Sequence, residues 1–140
     1  MNENEEYQEL LRQQSQTRSQ YNACRDRIDE CDYLLRRLRP VKEEIAAQKA
    51  DYRRHISAER GLAEQKCNWE GDCYDEFRFL ASEVRTENDD YLRQGLDRAL
   101  DALNNRITEI ENRRMNEFGL LGRLGSALNS LANSIENFFN

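Results

Sequence analysis

Tyr21-Asn22-Ala23-Cys24-Arg25-Asp26-Arg27-Ile28-Asp29-Glu30-Cys31-Asp32-Tyr33-Leu34-Leu35-Arg36-Arg37-Leu38 sets Tyr21, Cys24, Ile28, Cys31, Leu35 and Leu38 at alternating steps of three and four, with charged residues filling most of the gaps. That spacing is the seam of a coiled-coil-like helix. The same register runs outward without a slip, through Tyr7, Leu10, Gln14 and Thr17 on one side and Lys42, Ile45, Lys49, Tyr52 and Ile56 on the other. Gln14, Thr17, Lys42 and Lys49 interrupt it as polar residues that set register at some cost in stability. Pro40 removes one backbone hydrogen bond and crowds the preceding turn, so a kink or restart is expected there.

The pattern fails around Gly61 to Gly71, where Lys66-Cys67-Asn68-Trp69-Glu70-Gly71-Asp72 joins a helix-stopping Gly to residues that favour turns and N-caps. A reversal near 67–72 is expected, with Asp75 and Glu76 then in the first turn of a second helix, where the dipole favours anions. The apolar stripe of that helix is read as Phe77, Leu80 and Val84, shifting through Tyr91, Leu92 and Leu96 and settling into Leu100, Leu103, Ile107 and Ile110. Such a shift is a stutter.

From Phe118 to Asn140 the only charges are Arg123 and Glu136, and Gly119, Gly122 and Gly125 punctuate the segment. Leu121, Leu124, Leu128, Leu131, Ile135 and Phe138 nevertheless continue the register of Leu100 to Ile110. The glycines fall off the stripe and each lowers helix propensity by ~1 kcal/mol, so order is expected to arrive with a partner. The chain thus reads as all-α: a long two-helix antiparallel hairpin over 1–117 and a C-terminal amphipathic, partner-binding helix over 118–140. Few Val, Ile or Thr argue against a sheet.

Composition narrows the function. In 140 residues, 27 Asp and Glu against 21 Lys and Arg give a formal charge of -6, the wrong sign for displacing counterions from nucleic-acid phosphates. No run approaches the ~20 apolar residues of a membrane span. Met1 leads into Asn2-Glu3-Asn4-Glu5-Glu6 rather than a basic and then apolar stretch, so the expected site of synthesis is the cytoplasm, without a Sec-type signal. Catalysis has little to work with: His55 is the one histidine, in the charged run Arg53-Arg54-His55, and no phosphate loop or nucleophile elbow is present. The mixed charges around Asp26, Asp29, Glu30 and Asp32 read as a solvated helix face. Cys24 and Cys31 lie two turns apart on one face, roughly 10 Å along the axis, and Cys67 lies far beyond them, so neither a bridge nor a four-cysteine zinc site is built. Cys67 and Cys73 flank the turn and read as a buried reduced pair, with a cross-link as the alternative if the protein reaches an oxidising space. No cofactor or metal is expected, and the chain is read as non-enzymatic.

A two-helix hairpin buries one seam and leaves Leu11, Leu34, Val41 and the tail stripe uncovered, so further helices are wanted. The tail could instead lie on a membrane, but it lacks the basic face that anionic lipid attracts, so helix packing is favoured.

Trp69-Glu70-Gly71, followed by Tyr74 and Phe77, sets a large ring over the end of a seam and a Gly where the backbone reverses. With the long first helix, this Trp-x-Gly-x-x-Tyr-x-x-Phe run resembles the WXG superfamily of type VII secretion, most of all its YwqH-like branch, over roughly residues 7 to 115. The resemblance implies an LXG toxin-associated targeting factor or chaperone. Such a protein binds the helical N-terminal domain of the toxin, in some cases beside a second small helical protein, and accompanies it to the secretion machine. The resemblance also implies that Trp69, Gly71, Tyr74 and Phe77 shape the turn. The superfamily's Tyr-x-x-x-Asp/Glu signal is missing after Leu103, and Phe79-x-x-x-Glu83 inside helix two is its nearest echo, so export would need a partner's signal. The competing readings are a self-assembling structural coiled coil and a membrane-active helical effector.

Overall fold

A computed structural model describes the backbone of residues 2–64 and 72–140, with the side chains of 59–74 outside the description. It holds α1 (Glu3–Glu64), α2 (Asp72–Asp90), a π-helical segment (Tyr91–Leu96) and α3 (Asp97–Glu136), and no strand occurs among the described residues. The chain is an all-α helical hairpin. Trp69 and Gly71, and with them the expected reversal at 67–72, lie outside the described residues, as do Cys67 and the side chains of Cys73 and Tyr74.

The start of α1 is locked by a reciprocal cap. The Glu5 amide donates to Asn2 Oδ1 at 2.8 Å, and the Asn2 amide donates to the Glu5 carboxylate at 3.3 Å. Glu3, Glu5 and Glu6 place anions in the first turn, where the dipole favours them. Every position of the heptad from Tyr7 to Ile56 is buried or half-buried, and Cys24, Ile28, Cys31, Leu35 and Ile56 are buried. The seam is strong enough to carry α1 through Pro40 without a restart.

Two compact units divide the chain, Met1–Arg36 with Thr108–Asn140, and Arg37–Ile107. In the first, α1 and the C-terminal part of α3 run antiparallel. Ile110, Leu121, Leu124, Leu128, Leu131, Ile135 and Phe138 turn inward. The tail stripe therefore finds its cover within the chain: the ring of Tyr7 lies 5.6 Å from that of Phe138 and 5.0 Å from that of Phe139, and Phe138 meets Phe139 edge-on at 4.9 Å. The tail is helical through Glu136, and the glycine penalty of ~1 kcal/mol per residue is smaller than the return from burying such a stripe. Helix α3 runs unbroken across 117–118, where the composition changes.

In the second unit the inward face of α2 differs from the expected one. Leu80 and Val84 are 54% and 44% exposed, whereas Phe77, Ala81, Arg85, Asn88 and Leu92 are half-buried. Two bonds across the seam set this rotation: the Tyr52 hydroxyl donates to Asn88 Oδ1, and the Lys49 ammonium pairs with the Asp97 carboxylate. The inward series then steps by four three times, through Asn88, Leu92, Leu96 and Leu100, one residue more than a heptad allows. The extra residue is taken up as a π turn, in which the Asp97 amide bonds back five residues to the Leu92 carbonyl. The stutter of the sequence is this π segment.

Candidate interaction surface

Polar contacts lock the first unit's seam. Arg27 Nε donates to Glu117 Oε1 at 2.9 Å, Arg114 pairs with Asp32, and the Cys24 sulfur lies 3.1 Å from both the carbonyl and the carboxylate of Glu117. Arg27 and Asp32 thus reach across to the other helix, at the flanking positions where coiled coils place such pairs; the solvated-face reading does not hold for them. The Arg27 guanidinium, and then the Cys24 thiol, hold the Glu117 carboxyl below its usual range. Burial, reinforced by Glu117, pushes the Cys24 thiol up, away from the thiolate that does chemistry. Cys24 and Cys31 are buried free thiols that fill the seam.

The lowered Glu117 value makes a pH prediction. A carboxyl whose folded-state pKa is depressed contributes stability that is present above its unfolded value of ~4.3 and is lost as pH falls through the folded value. Glu117→Gln is expected to flatten the acid limb of stability below pH ~4.3 while leaving the shape of the neutral limb unchanged, as read from urea midpoints across pH. An acid limb that matches the parent protein would remove Glu117 from the linkage.

Outward of the seams, large apolar side chains remain. Tyr33, Met115 and Phe118 are exposed in the first unit, where the Arg114 guanidinium carbon sits 4.6 Å over the centre of the Phe118 ring. In the second unit, Val41, Phe79, Leu80, Val84 and Tyr91 are exposed. Leu11 and Leu34, which the sequence left uncovered, are half-buried.

Leu80, Val84 and Tyr91 fall at i, i+4 and i+11, a single helical face beside the seam rather than in it. At its C-terminal end, the ring of Tyr91 packs 4.9 Å from that of Tyr52 and borders a cavity of about 260 Å³ lined by Gln48, Asp51, Tyr52, His55, Tyr91 and Leu96. That volume lies below the ~300–1,000 Å³ of small-ligand sites and suits one protein side chain better than a cofactor. Its polar groups are partly engaged already, Tyr52 with Asn88 and Asp51 with Arg54.

Among the residues singled out from the sequence, Phe77 is half-buried with an interaction of its own, Leu121 to Ile135 lie along the inward face of α3, and Phe138 follows in the turn after it, against Tyr7. Reading the sequence missed the outward stripe and the cavity beneath Tyr91. The available signal was the set Glu76, Glu83 and Asp90, three carboxylates seven apart, which marks one flank of α2 as solvated. Among the described residues, no group of three or more His, Cys, Asp or Glu could hold a metal ion, and no helix is long and apolar enough to cross a membrane. No family model, no curated protein and no solved structure matches the chain.

Proposed function

We propose that the chain is a non-enzymatic helical adaptor that packs against helices of another protein, and that its partner is the helical N-terminal domain of an LXG toxin destined for type VII export. The observation that carries this reading is the outward stripe of Leu80, Val84 and Tyr91, which stays uncovered after the hairpin has filled its own seam. Aligned apolar residues on the outside of a helix beside a groove are what an incoming helix recognises. The Trp-x-Gly-x-x-Tyr-x-x-Phe run supports the choice of toxin and of secretion system. The tail stripe of Leu121 to Phe138 is engaged with α1, so a partner would reach it only by exchanging one helix for another.

Co-expression with the N-terminal domain of an LXG toxin, followed by size exclusion with mass measurement, tests the reading. A defined hetero-complex is the expected outcome. A discrete homo-oligomer, stable alone and indifferent to the toxin domain, would replace the adaptor with a self-assembling coiled coil.

A further inference from the structure

Charge is sorted around α2. On a helical wheel, Glu76, Glu83, Glu87 and Asp90 line one edge of the Leu80, Val84 and Tyr91 stripe, and all four are exposed. Of the two arginines of the helix, Arg85 turns into the seam and Arg78 falls beyond it, on the far side from that stripe. At the Tyr91 end of the stripe, Gln48 and His55 of α1 share the cavity with Tyr91.

We infer that the outer groove of the second unit, formed by Leu80, Val84 and Tyr91 with its carboxylate edge, is the docking site for an amphipathic helix whose apolar stripe is flanked by Lys or Arg. The cavity beneath Tyr91 receives one of that helix's side chains. The inference rests on the adaptor reading and specifies its partner surface. Charge complementarity selects the occupant. A second copy of the chain, at a formal charge of -6, would bring the same carboxylates to the contact, and an anionic bilayer would be repelled in the same way. A basic helix gains on both counts: its apolar stripe covers Leu80 and Val84, and its cations meet Glu83 and Glu87. The two tyrosine rings at the cavity also suit the stem and the charge of a basic side chain.

The test uses the full chain and two synthetic amphipathic helical peptides with the same Leu stripe, one flanked by Lys and the other by Glu, in fluorescence anisotropy. The Lys-flanked peptide is expected to bind and the Glu-flanked one not. Leu80→Ala with Val84→Ala, which removes exposed atoms and keeps good helix formers, should weaken binding ~10-fold or more. Glu83→Lys with Glu87→Lys should do the same at low salt, whereas the equal charge change Asp29→Lys with Glu30→Lys, exposed on α1 in the first unit, should have less than ~2-fold effect. Equal loss from both charge reversals would mean non-specific attraction and overturn the site. Peptide-independent dimerisation that the two alanines abolish would assign the groove to a second copy and likewise overturn it. The two proposals can fail separately. If the toxin domain binds the parent chain and both α2 variants alike, the groove is wrong and the adaptor reading stands. If the toxin domain does not bind while the Lys-flanked peptide behaves as described, the groove stands and the toxin partner falls.

Discussion

Ile110→Ala is expected to lower the free energy of unfolding by about 3 kcal/mol, within the 2–5 kcal/mol range for truncating a buried Ile or Leu. Ile110 is 2% exposed, at the seam of the first unit, where Cys24, Ile28, Cys31 and Leu35 are buried as well. Domains are stable by only ~5–15 kcal/mol, so this one change should remove a large part of the margin. The control is Met115→Ala on the same helix: Met115 is 70% exposed, and its truncation should move the urea midpoint hardly at all. Equal shifts for the two variants would mean that Ile110 is not in the seam.

In the opposite direction, Gly119→Ala, Gly122→Ala and Gly125→Ala combined are expected to stabilise the chain by ~2.5 kcal/mol, since Gly costs ~0.8–1 kcal/mol relative to Ala within a helix. All three lie within α3. A Cβ at Gly119 or Gly122 meets nothing within 4 Å, and one at Gly125 would sit 3.7 Å from Tyr21 Cε2, an ordinary contact. The gain should appear as a higher urea midpoint at unchanged slope. A lower midpoint would overturn the packing of this stretch on α1. The glycines carry no backbone demand that alanine cannot meet, so their cost is thermodynamic rather than structural.

The first arm was legible residue by residue. The heptad from Tyr7 to Ile56 names the inward face of α1 without exception, and even the polar members behave as seam residues, with Lys49 answered by Asp97 and Tyr52 by Asn88. The second arm was legible as a helix but not in its rotation. Leu80 and Val84 are the most apolar residues near the start of α2, yet Ala81 and Arg85 turn inward in their place. Hydrophobicity alone picks the wrong neighbours here, because the register is carried by the polar partners Asn88 and Asp97. The stutter was visible in the spacing, while its form as a π turn depends on whether the helix unwinds its supercoil or absorbs one residue. For the tail, the stripe was legible in the spacing, whereas its packing against Tyr7 and α1 was not, because composition made it look unfinished.

By itself the sequence determined that this protein is helical, where its first helix runs and which face of that helix turns inward, because a repeat of threes and fours is a property of neighbouring residues and needs no partner to be read. Only the tertiary structure decided which flank of α2 is left outside and what the tail stripe covers. Those choices depend on pairs such as Tyr52 with Asn88 and Cys24 with Glu117, which are 36 and 93 residues apart and exist only once the arms have met. The rotation of a helix about its own axis is set by what it packs against, and that rotation leaves Leu80, Val84 and Tyr91 available to another helix.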